Sequence, residues 1–308
     1  MPKFLIILIS CFLVSCTNND GVEIDTTTSG VISISADESL KPLIEAEKMV
    51  FESLYPKAKL NITYTSELEA IKLMLQDSCR MTIVTRKLSE NEKKPLIERQ
   101  INPQQIKMAT DGLAFIINKS NPDSVFSLNE IRKLFEGTAV QWNQIFSKSK
   151  LGKLQVVFDN PMSGAIRFIK DTITKNKDLP NYCFAVNSNK EVIDYVEHNK
   201  NAIGIIGLSW ISDEDDAEMQ GFLNRITVAE IIPDSIIRKS LNYKPILANL
   251  ALKQYPFCRE VFMISREAKT GLGTGFASFV ASDQGQRIIS KAGLLPAKTT
   301  IRIIEITQ

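Results

Sequence analysis

Hydroxyl, glycine and arginine residues meet in segment 159–171 (DNPMSGAIRFIKD), and that combination suits the holding of an oxyanion. Pro161 removes a backbone donor and ends any strand before it, Ser163 is a natural N-cap, and Gly164 leaves its backbone open to close approach. The first N–H groups of a helix starting at Gly164 have no intrahelical partners. With the helix dipole and the Ser163 hydroxyl they form a seat for negative charge. Covalent chemistry is not offered in the same way. His198, the one histidine, lies in a polar helical stretch (EVIDYVEHNK) with no cysteine or second histidine at ligand spacing, and no G-x-S-x-G occurs. The sequence therefore predicts a binding protein with no catalytic residue, no metal and no cofactor.

The elements around that segment alternate. The run 154–158 (LQVVF) reads as a buried strand, and Ala165, Phe168, Ile169, Thr172 and Ile173 share one helical face. Upstream, 31–35 (VISIS), 60–65 (LNITYT), 81–86 (MTIVTR) and 113–118 (LAFIIN) read as strands. Helix-start signals of the S-x-x-E kind stand at Ser35, Ser66, Ser89, Ser127 and Ser188. Downstream, 202–207 (AIGIIG), 226–232 and 260–264 read as strands, 271–275 (GLGTG) as a flexible turn, and 283–292 as a helix closed by Gly293. Strand and helix in strict alternation predict an α/β fold of mostly parallel sheets covered by helices, with the strand-to-helix loops gathered at one edge. The break at Asn121-Pro122 marks a domain limit.

Composition bounds the setting. The chain has 308 residues, 37 basic and 35 acidic, so no bulk charge points to nucleic acid. Lys3 and the apolar run 4–14, too short to span a bilayer, predict a signal peptide over 1–15. Leu13-Val14-Ser15-Cys16 resembles a bacterial lipobox, so Cys16 is the expected lipidation site and membrane anchor. Residues 16–29 are polar and read as a lipidated tether. Cys79, Cys183 and Cys258 allow at most one disulfide and read as free thiols, while Asp213 and its neighbours (DEDDAE, 213–218) read as a solvated acidic loop.

Several stretches carry a family resemblance in order: DGLAFIIN (111–118), SLNEIRKLFEGTAVQWNQI (127–145), SGA (163–165), AIGIIG (202–207), YPFCREVFMI (255–264) and FVASDQGQRIISKAGLLP (279–296). Together they resemble the phosphate-binding lipoproteins of high-affinity phosphate ABC transporters. The resemblance implies a two-lobed periplasmic binding protein fold of type II, with 30–118 and 248–308 in lobe 1 and 119–247 in lobe 2. It implies a monomer, lipid-anchored on the periplasmic side, that captures phosphate or a similar oxyanion for an ABC permease. The alternative is a transport-inactive sensor or adhesion lipoprotein on the same fold. By the same resemblance the ligand loops hold Ala36, Asp37, Ser39 and Leu40, then Thr85 and Arg86, then Ser163, Gly164 and Ala165.

One departure bears on the chemistry. Where the family carries a motif resembling R-S-D-x-S-G-T, this chain has 159–165 (DNPMSGA), without the Arg and the Thr. Arg86 or Arg167 is then expected to supply the missing cation. Asp159 either accepts a proton from the anion, which would separate phosphate from sulfate, or caps the turn at Pro161.

Overall fold

Alternating β-branched residues make β1 (Gly30–Asp37), whose Ile32 and Ile34 are buried while Val31 faces water. The structure, a computed structural model, describes residues 25–213, 215–234 and 242–298. The expected signal peptide, Cys16 and the tether up to residue 24 lie outside the described residues, as does Glu214 of the acidic segment. After β1 come α1 (Lys41–Leu54), β2 (Ala58–Thr65), α2 (Glu67–Leu75), β3 (Met81–Val84) and α3 (Glu90–Glu98). The long strand β4 (Gln104–Asn118) follows, then β5 (Val125–Ser127), α4 (Leu128–Glu136) and α5 (Trp142–Ile145). Next are β6 (Gln155–Phe158), α6 (Gly164–Ile169), β7 (Cys183–Ala185), α7 (Asn189–His198) and β8 (Ala202–Gly207). The chain ends through α8 (Ala217–Arg225), β9 (Ile226–Val228), β10 (Glu230–Ile232), α9 (Leu247–Ala251), β11 (Cys258–Ser265), α10 (Leu272–Val280), α11 (Asp283–Lys291) and β12 (Leu295–Pro296).

Eight strands run in one curled, mixed sheet in the order β2-β1-β3-β11-β4-β8-β6-β7, β9 and β12 also pair with β4, and β5 and β10 make a separate two-stranded sheet. Parallel pairs lie toward its two ends, β1 with β2 and β3, and β6 with β7 and β8. The middle is antiparallel, because β11 returns between β3 and β4 and β8 runs against β4. β4 is the seam: its first part pairs with β11 as far as Gly112 opposite Cys258, and its second part begins on β8 with Leu113 opposite Gly207.

Packing divides at the same place. Ile32, Ile34, Phe51, Met81, Val261 and Phe276 belong to one core under α1 and α10, and Ile71, Met74, Leu96 and Ile264 fill the other face of that half-sheet. Residues 113–117 instead join Phe135, Trp142, Val157 and Ile205 in a second large core, which also takes in Tyr255 and Phe257. The cores part near Gly112 and Cys258, six residues before the expected limit at 118/119 and ten after the one at 247/248. Asn121-Pro122 is a turn beyond β4, inside the region of the second core.

Several local expectations are corrected. Ser35 does not cap a helix: β1 pairs with β2 through Asp37, the Ser35 hydroxyl donates to the Ala70 carbonyl at 2.7 Å, and Asp37 caps a short 3-10 turn (Glu38–Leu40) before α1. The glycines of 271–275 are not a loose turn but the start of α10, with Gly271 as N-cap. Their lack of side chains admits residues 25–29, read as tether. A Cβ on Gly275 would stand 1.8 Å from the Thr27 carbonyl oxygen, and the Asp25 carboxylate accepts from Leu272 N–H at 3.0 Å. The single strand expected over 226–232 is two, β9 on β4 and β10 on β5. The acidic segment is solvated as expected, with Asp215 and Asp216 exposed, and Lys291 of α11 pairs with Asp213 and Asp215 at that surface. The boxes at Ser89 and Ser127 form in full, and Ser66, Ser163 and Ser188 cap their helices.

Candidate functional site

The parallel strands deliver their C-terminal ends to one place, and the loops that follow carry polar side chains. β1 ends in Asp37, followed by Ser39; α2 opens on Glu67; β3 is followed by Thr85 and Arg86. From the other half, β6 is followed by Asp159 and Ser163, and β8 by Ser209. All of these except Arg86 are buried. The two halves touch through bare backbone: a Cβ on Gly164 would lie 2.6 Å from Thr85 Oγ1, 2.7 Å from Asp37 Oδ2 and 2.9 Å from Glu67 Oε2, and one on Gly207 would lie 2.5 Å from the Ser39 carbonyl oxygen. Only glycine permits that approach.

Arg259 and Asp111 stand directly opposite each other on β11 and β4. Arg259 Nε donates to Asp111 Oδ2 at 2.9 Å and Nη2 to Ser39 Oγ at 2.7 Å, with both side chains out of water. Burial lowers the guanidinium's pKa, but Asp111 and Asp37 outweigh it and keep the charge on. Burial raises the Asp111 carboxyl, with Arg259 opposing. Among the described residues, three buried atoms of the cluster have no protein partner: Arg259 Nη1, Asp37 Oδ2 and Asp159 Oδ1. Asp37 is raised first by burial, against the pull of Arg259, and then by the charge of Glu67. Asp159 is pushed up to about 7 by burial and by Asp37.

Each expected ligand residue has a definite place. Asp37, Ser39, Thr85, Asp159, Ser163 and Gly164 come together. Ala36 and Leu40 pack in the first core and Ala165 in the second. Arg86 is not a free cation: Nη1 and Nη2 each donate to Glu92 at 2.7 Å. Although burial works to raise it, the Arg86 hydrogen bond pulls Glu92 down to about 2. Arg167 is also engaged. It reaches from α6 to Glu67, with Nη2 3.1 Å from Thr85 Oγ1, and Nη1 donates to Asp171 at 3.0 Å.

Sequence reasoning missed Glu67, Asp111, Asn189 and Arg259. The signal for Arg259 was present, as a cation inside the apolar run YPFCREVFMI. Asn189 joins the halves by donating to Glu38 and, at 3.4 Å, to Asp159. Among the described residues no group of histidine, cysteine and carboxylate side chains is arranged to hold a metal. A groove of about 890 Å³ runs between α1 and segment 210–222, lined by Met49, Trp210 and Phe222; it contains none of the residues of the buried cluster.

A two-lobed α/β protein whose polar loops face one another across a seam has the layout of a solute-binding protein. The chain belongs to the PBP superfamily, whose domain profile matches residues 21–284. Among curated relatives, the phosphate-binding protein PstS of Staphylococcus epidermidis is 20% identical over 283 residues, covering 90% of this chain and 82% of that one. PstS of Staphylococcus haemolyticus is 21% identical over 180 residues, covering 58% and 56%. Among solved structures, a phosphate-bound putative phosphate ABC transporter substrate-binding protein from Clostridium perfringens aligns with a TM-score of 0.73 at 22% identity, covering 87% of this chain and all of that one. An ABC-type phosphate transport receptor from Vibrio cholerae aligns at 0.63 and 19% identity, covering 86% and 99%. These relatives are named as phosphate-binding proteins, and the two solved structures as binding proteins of ABC-type phosphate transport.

Proposed function

We propose that this protein is a lipid-anchored extracytoplasmic solute-binding protein that encloses phosphate or a similar oxyanion between its lobes and presents it to an ABC permease. The observation that carries the reading is the buried meeting of Arg259 Nη1, Asp37 Oδ2 and Asp159 Oδ1, all without protein partners, beside the Ser39, Thr85 and Ser163 hydroxyls. An orphaned buried donor and two orphaned acceptors are costly unless a solute completes them. An oxyanion that shares its protons with the two carboxyl groups does so, accepting from Nη1 and hydrogen-bonding to Asp37 Oδ2 and Asp159 Oδ1. The protein works as a monomer tethered through Cys16, by lobe closure and with no covalent step. The sensor or adhesion alternative is not favoured by the relatives, which are named for phosphate binding.

Arg259 takes the role first given to Arg86 or Arg167. The test is calorimetric titration of the full chain with phosphate and with sulfate. Phosphate is expected to bind, and Ser163→Ala to weaken it by about 1 kcal/mol through one lost hydrogen bond. Absence of phosphate binding in the parent protein would sink the reading.

A further inference from the structure

A charged contact between side chains of the protein ties the two halves together across the seam. Arg167 sits on α6, and its Nε and Nη2 both reach Glu67 at the start of α2, on the opposite side of the seam. Nη2 also approaches the Thr85 hydroxyl at 3.1 Å and the Thr85 carbonyl at 3.3 Å, and Nη1 is held by Asp171 at 3.0 Å. All three guanidinium nitrogens are therefore taken by protein. Glu67 is equally committed: its Oε2 accepts from Thr85 N–H at 3.0 Å and from the Thr85 hydroxyl, and its side chain is 3% exposed. Burial works to raise the Glu67 carboxyl, yet Arg167 and Thr85 hold it below its ordinary value. Nε and Nη2 of the guanidinium face the two oxygens of the Glu67 carboxylate, the forked geometry in which arginine–carboxylate contacts are strongest. Gly164, three residues before Arg167, brings the α6 backbone close enough for the side chain to cross.

We propose that Arg167 is a lobe latch: it grips Glu67 and Thr85 across the seam, holds the cleft closed in the absence of solute, and sets the closed–open balance without touching the solute. The latch rests on the reading of the seam as a solute-binding cleft. It makes Arg167 a positioning residue. A ligand able to shift a two-state balance must bind one state better, so removing the latch costs apparent affinity even though no solute contact is lost. Asn189 to Glu38 and Ser209 to Ser39, at 3.2 Å, also cross the seam without a formal cation, and the cationic pairs of Lys291 with Asp213 and Asp215, at 3.8 and 3.3 Å, lie at the surface rather than buried at Glu67's depth.

The experiment is amide hydrogen exchange of the full-length protein followed by mass spectrometry, with and without inorganic phosphate. In the solute-free parent, the backbone of 82–87 and 163–168 is expected to exchange slowly. In solute-free Arg167→Gln both stretches should exchange about tenfold faster or more, a factor of ten being 1.4 kcal/mol of opening free energy. Core peptides of β8 should be unchanged, which a general loss of stability would not allow. Arg167→Lys, which keeps the charge but not the fork, should fall between. Saturating phosphate should restore protection in Arg167→Gln, with a weaker Kd. The proposal is overturned if the solute-free parent already exchanges as fast as Arg167→Gln at both stretches. It is also overturned if phosphate binds Arg167→Gln without restoring protection. A slow-exchanging parent that binds no phosphate would uphold the latch while removing the phosphate reading.

Discussion

Asp159 stands where the related motif carries arginine, and burial together with the Asp37 charge lifts its carboxyl to about 7. Below that pH it is neutral and can share a proton with an oxyanion; above it, a second negative charge faces the solute. Phosphate affinity should therefore drop between pH 6 and pH 8 more steeply in the parent than in Asp159→Asn, which should bind about tenfold tighter at pH 8, roughly 1.4 kcal/mol. Calorimetry at the two pH values checks this, and identical pH slopes would detach Asp159 from the solute. Glu47 makes a comparable case in the core, with both carboxylate oxygens buried and without a partner, and burial pushes its carboxyl up to about 9. Because the folded pKa is raised, the stability it contributes is whole below its unfolded value of about 4.3 and is lost as pH climbs toward 9. Glu47→Gln should stabilise the protein by about 2–3 kcal/mol at pH 7 and flatten the fall of Tm from pH 5 to pH 8. Unchanged pH dependence of Tm would show that Glu47 ionises freely. Glu47 was visible in the sequence as the intruder in the stripe Leu43, Ile44, Phe51. Its lack of a partner was not, because that depends on what α11 and the sheet bring against α1.

At the scale of elements, the serine–glutamate spacing read most helix starts correctly, since a cap is a local interaction of residues three apart. It failed at Ser35 because β2 continues to pair with β1 through Asp37, and ladder hydrogen bonds with a neighbouring strand outcompete a local cap. The glycines of α10 misled for a related reason. Their lack of side chains serves not a turn but the passage of residues 25–29 across the helix, a contact between segments some 250 residues apart that no local pattern encodes. Gly275→Ala should drive its methyl into the Thr27 carbonyl and cost about 1–3 kcal/mol, as overpacking does. The expected readout is a lower Tm together with faster proteolysis near residue 27. A variant with parent-like Tm and an intact N-terminal segment would show that the contact adjusts without cost.

For the whole molecule, alternation of strand and helix made the α/β class legible, and collinear motifs made the two lobes legible. The antiparallel middle of the sheet was not, because β11 enters between β3 and β4 only after the second lobe is complete. That late return also hid the main cation: Arg259 meets Asp111 across 148 residues of chain, at the point where the two cores divide. The pair supports the seam from within, and on the function proposed above Arg259 is also the anion contact; the two roles are separable. Arg259→Met alone strands Asp111 as a buried charge and should cost about 3–5 kcal/mol. Adding Asp111→Asn removes that charge and keeps a carbonyl oxygen for Leu208 N–H, which Asp111 now accepts at 3.3 Å, so most of the stability should return. Phosphate binding should not return with it, because Nη1, the one orphaned donor of the buried cluster among the described residues, is gone. Thermal unfolding of the two single variants and the double variant, with calorimetric titration of each, reads both quantities. If the double variant regains phosphate binding along with stability, Arg259 supports the seam alone and the anion must be held by Ser39, Thr85 and Ser163 without it.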